Sequence, residues 1–503
     1  MDHYDVAVVG SGAGLTVLET ALEKGRKCAI IENAKFGGTC LNRGCIPSKI
    51  LVYPADLIRE NEKARQTGLN WQLESFDWAT ITRRVWHYID YNKVLETSLA
   101  QVKNLTVYRG TASFTGSCTL QVPDEKNGLT EPFQADLIVL APGSRPHVPP
   151  VAGLENAGYL TSASFFSDRF PARPWKSLII LGGGSIGLEF AHIFSAFGTK
   201  VTLVEMMPHL APTEEEVVSR HLETNLVRQG IEVITNHQAV GAGRNDGGKS
   251  LTVRSLESGE TRTLYGEELF VASGVQSNAD LLQAGKAGIA VDARGYILTN
   301  EYLETNRRNI WALGDVNGKY PFRHKANQEA EVCLHNMFRP DLSKQAMNYQ
   351  HVPWAIFTSP QIAHVGLREQ EARERGIKYQ VGVNYYSSIA MGYAMGYRKG
   401  DPDDGFVKLL VDENMKIIGV HIIGPHAAIL IQSFVYLMNA GYRCHRQSFD
   451  RPAHDEERAR QIPGLFPLWP ETGSLDPITR SMVIHPSLNE LTAWVIDKLA
   501  WPE

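Results

Sequence analysis

The sequence predicts an α/β fold with two domains built on parallel sheets and a smaller α+β domain at the C-terminal end. The same plan occurs twice, from Asp5 to Glu32 and again from Ser177 to Glu205. Each copy has an apolar run, a glycine-rich turn, a helix-like stretch and a second apolar run that ends in glutamate. The α+β domain is predicted by strand-like segments at 379–386, 405–411 and 417–423, followed by a helix-like segment at 427–440.

Both glycine turns have the pattern of a dinucleotide-binding site. Glycines let the backbone approach a pyrophosphate, the next helix offers free N–H groups at its N-terminus, and an acid about 20 residues on binds ribose hydroxyls. A single copy also suits an ordinary turn in a parallel sheet, but two copies with their acids favour two Rossmann-like domains. The residues concerned are Gly10, Gly12, Gly14 and Glu32 in the first copy, and Gly182, Gly184, Gly187 and Glu205 in the second.

The first turn departs from the usual spacing. Leu15 occupies the position of the third glycine, and Gly14 stands one place early. We therefore expect looser or differently arranged packing between this helix and its strand.

Three further apolar segments end in turns. Two of them lead to Gly143 and Gly274, and the third ends in Gly314-Asp315. A carboxylate placed after such a strand could reach the ribityl chain of a flavin, although a plain turn is the alternative. These segments divide the chain into a discontinuous first domain (1–150 and 276–350), a second domain (151–275) and a third (351–503).

Two of the six cysteines, Cys40 and Cys45, lie close together beside the first domain's glycine turn. Two thiols at the start of a helix can close a small disulfide ring, and the helix dipole with a nearby cation lowers a thiolate pKa. Zinc is the competing interpretation, but it would need a second Cys or His pair, which this segment lacks. We therefore predict a redox-active pair and no metal ligands.

Composition excludes several classes of partner. The formal net charge is -5, from 50 basic and 55 acidic side chains, with no dense basic run. Nucleic acid is therefore not an expected partner. No apolar run reaches the roughly 18 to 20 residues of a membrane span, and the N-terminus runs directly into a strand. We expect a cytoplasmic protein that does not enter a membrane.

The segment GGTCLNRGCIPSK, residues 37–49, resembles the active-site segment of the class I pyridine nucleotide-disulfide oxidoreductases. That family includes dihydrolipoamide dehydrogenase and mycothione reductase. The resemblance covers essentially the whole chain. It implies FAD bound by 1–150 with 276–350, NAD(P) bound by 151–275, and a dimerisation domain at 351–503 that makes a homodimer. Besides the residues already named, it implies cofactor contacts from Gly38, Thr39, Lys49 and Ala112.

The resemblance also implies catalytic roles. Cys45 would be the flavin-proximal thiol, which forms a charge-transfer complex as a thiolate, and Cys40 the thiol that attacks substrate. Lys49 would lie near the flavin and pair with Glu189. His485 of the partner subunit, oriented by Glu490, would act as acid and base for the thiols.

Different segments of the sequence resemble different members of this family. Glu205 is followed by Met206 and Met207 and not by arginines, which favours NAD(H) over NADP(H). The segments 40–42 and 46–48 favour dihydrolipoamide dehydrogenase. Leu15, Tyr53 and 390–396 are more like mycothione reductase, so a reductase of mycothiol-type or other small disulfides is the alternative. A flavoprotein redox sensor with little turnover is the alternative of another class.

An apparent insertion at 442–479 is rich in arginine and aromatic residues. It is expected either to bind the substrate or to be a solvated loop.

Overall fold

The computed structural model describes residues 1–91, 93–124, 128–245, 247–339, 341–440, 473–479 and 487–502. His485 and most of the apparent insertion, 442–472, lie outside the described residues. The chain forms two compact units, one of Met1–Pro212 with Glu223–Asn348 and the other of Thr213–Leu222 with Tyr349–Glu503. The three-domain boundaries predicted above stay a prediction.

The first unit contains most of the secondary structure. Its described strands are β1 (His3–Val9), β2 (Cys28–Glu32), β3 (Leu105–Arg109), β4 (Ser113–Gly116), β5 (Thr119–Gln121), β6 (Pro123–Asp124), β7 (Gly128–Leu129), β8 (Phe133–Leu140), β9 (Ser144–Pro146), β10 (Ser177–Leu181), β11 (Lys200–Val204), β12 (Glu232–Ile234), β13 (His237–Asn245), β14 (Gly248–Ser255), β15 (Thr261–Gly266), β16 (Glu268–Val271), β17 (Val275–Ser277) and β18 (Ile310–Ala312). Its helices, with one shared by both units, are α1 (Gly14–Glu23), α2 (Gly38–Asn42), α3 (Cys45–Ala64), α4 (Trp78–Tyr91), α5 (Lys93–Leu99), α6 (Leu154–Ala157), α7 (Ser162–Phe165), α8 (Ser185–Ala196), the shared α9 (Glu216–Arg228) and α10 (Arg323–Phe338). Short 3-10 turns lie at Arg65–Thr67, Ala284–Ala287 and Gly314–Asn317.

The first sheet is parallel at its centre. Its strand order is β3-β2-β1-β8-β5-β4, with β18 paired to β8. The pairs β1–β2, β2–β3, β1–β8 and β8–β18 are parallel. All five residues of β2 are buried, as expected of a strand covered on both faces. Since parallel strands end at one edge, the turns after β1, β8 and β18 lie together there.

The second sheet repeats this arrangement on a smaller scale. It is parallel, with the order β12-β11-β10-β16. The antiparallel sheet β13-β14-β15 packs with it around a common apolar core. The predicted pair of Rossmann-like units is therefore confirmed.

The second unit is built on an antiparallel sheet. Its strands are β19 (Trp354–Ile356), β20 (Gln361–Gly366), β21 (Tyr379–Tyr385), β22 (Phe406–Asp412) and β23 (Ile417–Gly424), in the order β19-β20-β23-β22-β21. Its described helices are α11 (Glu369–Glu374), α12 (Ala390–Ala394), α13 (Ala427–Leu430), α14 (Gln432–Asn439), α15 (Asp476–Thr479) and α16 (Asn489–Ala493), with 3-10 turns at Tyr386–Ser388 and Ile496–Lys498. The helix predicted at 427–440 is thus two helices. The predicted α/β fold class with a C-terminal α+β domain is confirmed.

Within the described ranges, no helix combines the length and the apolar character that crossing a membrane requires.

Candidate active site

The two glycine turns use the same steric device. Gly10 has φ of 95°, and a Cβ there would lie 2.1 Å from the carbonyl oxygen of Ala141. Gly182 has φ of 116°, and its Cβ would lie 2.3 Å from the carbonyl oxygen of Ala272. Only glycine fits either position. Each turn therefore packs against the strand end predicted to accompany it.

Of the two alternatives expected at the first turn, looser or differently arranged packing, the structure shows the second. A Cβ on Gly14 would lie 2.8 Å from Val8 Cγ1 and 3.2 Å from Ala141 Cβ. Helix α1 thus approaches β1 so closely that a side chain at residue 14 would clash with Val8. The early glycine moves the close contact by one residue and does not abolish it, so Leu15 is tolerated.

Both predicted acids brace their own turns. Glu32 Oε2 accepts hydrogen bonds from the Ser11 amide (2.9 Å) and hydroxyl (2.6 Å), and Oε1 accepts one from the Ala34 amide at 2.8 Å. Glu205 accepts from the Gly183 amide at 2.6 Å and the Met207 amide at 2.8 Å. Because a carboxylate has about four acceptor positions, each acid keeps capacity for a ribose hydroxyl.

The space above the turns fits a dinucleotide. Gly184 would place a Cβ with nothing within 4 Å, and the nearest atom to a Cβ on Gly12 is a guanidinium nitrogen of Arg323, 4.0 Å away. Open space beside glycine backbone is what a pyrophosphate needs. The start of α2 also lies here, because a Cβ on Gly38 would stand 2.9 Å from Gly12 Cα. The residues present therefore fit FAD at the first turn and a nicotinamide dinucleotide at the second.

Asp315 occupies the same sheet edge. The Ser144 hydroxyl, just after Gly143, donates to Asp315 Oδ2 at 2.7 Å. The two strand-end turns predicted to contact cofactor are thus joined directly.

A buried network that sequence reasoning missed supports the Asp315 turn. Lys325 and Glu329 of α10 are completely buried, and Lys325 Nζ lies 3.1 Å from Glu329 Oε2. Lys325 also donates to the carbonyl oxygen of Gly314 at 3.1 Å. Glu329 accepts from the Gly314 amide and the Asn317 side-chain amide, both at 2.7 Å. The only sequence signal is an i, i+4 Lys/Glu pair, which normally indicates a solvent-facing helix surface.

Helices α2 and α3 place the two thiols together. The Asn42 side chain ties α2 down by donating to the carbonyl oxygens of Phe36 (2.8 Å) and Gly38 (3.0 Å). Cys40, on α2, is partly buried, and Cys45, the first residue of α3, is exposed. The Cys40 thiol hydrogen-bonds the Cys45 sulfur, which is the largest influence on both groups.

The hydrogen bond separates the acidities of the two thiols. The bond from Cys40 and the charge of Lys49 outweigh desolvation and lower the pKa of Cys45 to about 7. The same bond and desolvation raise the pKa of Cys40 far above its ordinary range. The singly protonated pair therefore has its thiolate on Cys45 and its proton on Cys40.

Lys49 forms the pair that the resemblance implied. Its Nζ lies 2.8 Å from Glu189 Oε2, with the carboxylate largely buried. Lys49 follows Cys45 by one helical turn on α3, and Glu189 lies on α8, which follows the second glycine turn. The ion pair thus connects the redox segment with the second dinucleotide unit.

The remaining predicted cofactor contacts come from residues whose side chains are buried elsewhere, exposed or absent. The Ala112 side chain is buried in the apolar core of the first sheet, so only its backbone could reach a cofactor. Thr39 is exposed, and Cβ atoms at Gly143 and Gly274 would meet nothing within 4 Å.

Glu490 is fully buried and accepts a hydrogen bond from the Ser487 amide at 3.2 Å. Its predicted partner His485 lies outside the described residues, so that role stays a prediction.

Comparison with known families identifies the class. Residues 4–330 match the family model described as pyridine nucleotide-disulphide oxidoreductase, and residues 352–454 match the dimerisation domain of that family. The chain belongs to the pyridine nucleotide-disulphide oxidoreductase family, whose members use FAD and NAD(P)H. The predicted family and cofactors are confirmed.

Individual relatives carry different names. Mycothione reductase of Mycobacterium tuberculosis is 33% identical over 453 residues, which cover 88% of this chain and 94% of that protein. Dihydrolipoyl dehydrogenase of Bacillus subtilis is 31% identical over 442 residues, covering 85% and 90%. Among solved structures, a Cu(II) complex of the HOCl-induced flavoprotein disulfide reductase RclA from Escherichia coli aligns with a TM-score of 0.78 at 25% identity, covering 99% of each chain. The chain is thus similar to two enzymes whose names specify different substrates and to a flavoprotein disulfide reductase.

Proposed function

We propose that this protein is an NADH-linked, FAD-dependent disulfide oxidoreductase in which Cys40 and Cys45 exchange with a small dithiol or disulfide, with dihydrolipoamide as the favoured substrate. The observation that carries the proposal is the thiol pair, with its Cys45 pKa of about 7 beside the Lys49–Glu189 ion pair. A thiol of that acidity is substantially ionised at neutral pH, as thiol–disulfide exchange requires.

The two thiols divide the exchange between them. In the direction of disulfide reduction, Cys40 attacks one sulfur of the substrate, forms a mixed disulfide and releases the first thiolate. Cys45 then attacks Cys40 Sγ, releases the second thiolate and closes the Cys40–Cys45 disulfide. FAD, when bound, supplies the two-electron link between this disulfide and the nicotinamide.

The same pKa values explain why a base is needed. Cys40 holds the shared proton, so it must lose that proton before it becomes a nucleophile. Proton transfer to a nearby imidazole would provide this step. His485 of the partner subunit, oriented by Glu490, is the group we propose for it. The match to the family's dimerisation domain supports the homodimer that this arrangement requires.

The preference for NADH rests on the second turn. Glu205 is an anion at the end of β11, and Met206 and Met207 after it are exposed apolar side chains. A 2'-phosphate would meet a carboxylate there and no adjacent cation in this segment, whereas ribose hydroxyls would meet an acceptor.

A second candidate substrate is a mycothiol-type disulfide. The observation that favours it is the similarity to mycothione reductase, 33% over 88% of the chain. That relationship is as strong as the one to dihydrolipoyl dehydrogenases. A redox sensor with little turnover is the third candidate and predicts slow reaction with every disulfide.

One panel of assays separates these candidates. Purified flavoprotein is assayed with NADH and with NADPH against lipoamide, mycothiol disulfide and glutathione disulfide, and in reverse with dihydrolipoamide and NAD. We expect the largest kcat/KM for NADH with lipoamide and its loss in Cys45→Ser. A larger value for mycothiol disulfide would select the second candidate. Turnover that is slow with every disulfide and unchanged in Cys45→Ser would contradict the enzyme proposal.

A further inference from the structure

Three buried polar side chains meet in the second unit, away from the thiols in sequence. His364 lies on β20 and His421 on β23, and the two residues are directly opposite in the antiparallel register. Glu214 belongs to the Thr213–Leu222 segment of the same unit. All three side chains are at most 3% exposed. One donor atom from each lies within 4.8 Å of those of the other two.

The histidines are oriented by the backbone. His364 Nε2 lies 2.9 Å from the carbonyl oxygen of Gly366, and His421 Nε2 lies 3.0 Å from that of Leu367. A carbonyl oxygen can only accept, so each Nε2 donates its hydrogen to the backbone, and Nδ1 is the ring atom that remains for a ligand. Metal-binding histidines are commonly held in this way, through a hydrogen bond from the other ring nitrogen to a carbonyl group.

Glu214 is oriented from its other oxygen. Trp354 Nε1 donates to Glu214 Oε1 at 2.5 Å. Trp354 lies on β19, opposite His364 in the register. This leaves Oε2 turned towards the histidines, 3.3 Å from His364 Nδ1.

The three inward-facing atoms have no hydrogen-bond partner. Glu214 Oε2, His364 Nδ1 and His421 Nδ1 are all buried and unsatisfied. The 3.3 Å contact between Oε2 and His364 Nδ1 is within ion-pair distance, but its geometry does not make a hydrogen bond. Buried polar atoms are nearly always satisfied, so three unsatisfied atoms in one cluster call for a ligand, and a cation that accepts lone pairs suits two imidazole nitrogens and a carboxylate oxygen.

We propose that Glu214, His364 and His421 form a binding site for one divalent transition-metal cation of the zinc class. Two imidazole nitrogens and one carboxylate oxygen are a ligand set that Zn²⁺ uses, with one position left for water. Bonds of about 2.1 Å in tetrahedral geometry place ligand atoms roughly 3.4 Å apart. The Glu214–His364 separation already matches this spacing, and the donor atom of His421 lies within 4.8 Å of the other two.

The surroundings are compatible with a bound cation. Lys408 is the nearby ammonium, and it is engaged by Glu215 at 3.0 Å and Glu369 at 2.6 Å. A metal here would join the Thr213–Leu222 segment to β20 and β23, so its effect would be to stabilise the second unit.

The experiment uses the full-length flavoprotein with Cys40→Ser and Cys45→Ser, so that thiolates cannot bind the probe. After dialysis against a chelator, Zn²⁺ binding is measured by competition with a chromophoric chelator, and Co²⁺ binding by its absorption at wavelengths beyond the oxidised flavin bands. We expect one ion per chain, a Co²⁺ spectrum of nitrogen and oxygen ligands without thiolate bands, and a higher melting temperature with Zn²⁺.

Two ligand variants and a control test the assignment. Glu214→Gln keeps the shape and the acceptor for Trp354, and His364→Ala removes one nitrogen; each should weaken Zn²⁺ binding by at least about 10-fold. The control is His335→Ala, which removes another buried histidine, one on α10 whose Nε2 contacts the Ser343 carbonyl oxygen at 2.8 Å. It should bind Zn²⁺ like the parent.

The outcomes decide the proposal. If His364→Ala does not fold, Glu214→Gln and the Co²⁺ spectrum of the parent carry the test. Absence of Zn²⁺ binding in the parent, or equal affinity in the parent and Glu214→Gln, would overturn the site. That result would leave a buried histidine–histidine–glutamate cluster whose atoms are satisfied by water. Disulfide turnover by the protein with its native cysteines is a separate measurement and does not bear on this result.

Discussion

Lys49 Nζ lies 2.8 Å from Glu189 Oε2, and the two charges act in opposite directions on the same thiol. Lys49 lowers the pKa of Cys45, because an ammonium stabilises the thiolate, and Glu189 raises it. The hydrogen bond from Cys40 is the largest influence on the pKa of Cys45, and the ion pair adjusts that pKa further through two opposing effects.

Removing each charge should move the pKa of Cys45 in opposite directions. We expect Lys49→Met to raise it by roughly one unit and Glu189→Gln to lower it, since Lys49 would then act uncompensated. The measurement is the pH dependence of alkylation of the reduced enzyme by iodoacetamide. Lys63→Met is the control, because Lys63 lies on the same helix as Lys49 but about 21 Å further along it, at a rise of 1.5 Å per residue. Shifts of the same sign in both variants would contradict this account.

The two cysteines should differ in their optical signature. We expect Cys45→Ser to retain FAD but to lose the long-wavelength thiolate-to-flavin band. In the parent, the band should be half lost at about pH 7 as the pH is lowered, because Cys45 becomes protonated. In Cys40→Ala the band should persist at high pH, but on acidification it should be lost at a higher pH than in the parent. The reason is that the Cys40 thiol is the largest cause of the lowered Cys45 pKa. A band that survives in Cys45→Ser would reverse the assignment of the thiols.

The repeated units were predictable because their signals are local. Apolar runs correctly predicted β10 and β11, and glycine spacing predicted the turns at Gly10 and Gly182. The Lys49–Glu189 contact joins residues 140 positions apart, and it was accessible only through the resemblance to a known family.

Other parts of the site depend on pairing that sequence does not reveal. Lys325 and Glu329 have the spacing of a surface ion pair, and only the tertiary structure buries them beside Gly314. His364 and His421 become neighbours through the register of β20 and β23, so no motif links them. The predicted contact of Glu490 with His485 is not among the described residues.

Adding a cation after β11 should change cofactor preference. Glu205→Arg alone would remove the carboxylate that accepts hydrogen bonds from the Gly183 and Met207 amides. A change in cofactor preference could then not be distinguished from damage to the turn. We expect Met206→Arg, at an exposed position, to lower the Michaelis constant for NADPH several-fold, and Glu205→Gln with Met206→Arg to lower it further. Steady-state kinetics with both nucleotides measure this. Val227→Arg, also exposed, controls for added charge. Equal effects from Met206→Arg and Val227→Arg would place the adenosine ribose elsewhere.

The last prediction concerns Lys325 and Glu329, which both hydrogen-bond to the backbone of Gly314 in the Gly314–Asp315 turn. Glu329→Gln leaves a completely buried ammonium without its counter-ion and should destabilise the protein by about 3 kcal/mol. Glutamine also cannot accept from both the Gly314 amide and Asn317 as the carboxylate does, so FAD should dissociate more readily. Urea unfolding and the release of flavin fluorescence measure the two effects.

A double variant separates charge from packing at this position. Lys325→Met with Glu329→Gln removes the uncompensated charge, so it should be more stable than Glu329→Gln alone, while the flavin stays weakly held. Lys344→Met is the control, because it breaks an exposed ion pair with Glu304 and should cost no more than about 1 kcal/mol. If Glu329→Gln were as stable as this control, or the double variant no better than Glu329→Gln, the buried pair would not be what holds Asp315 in place.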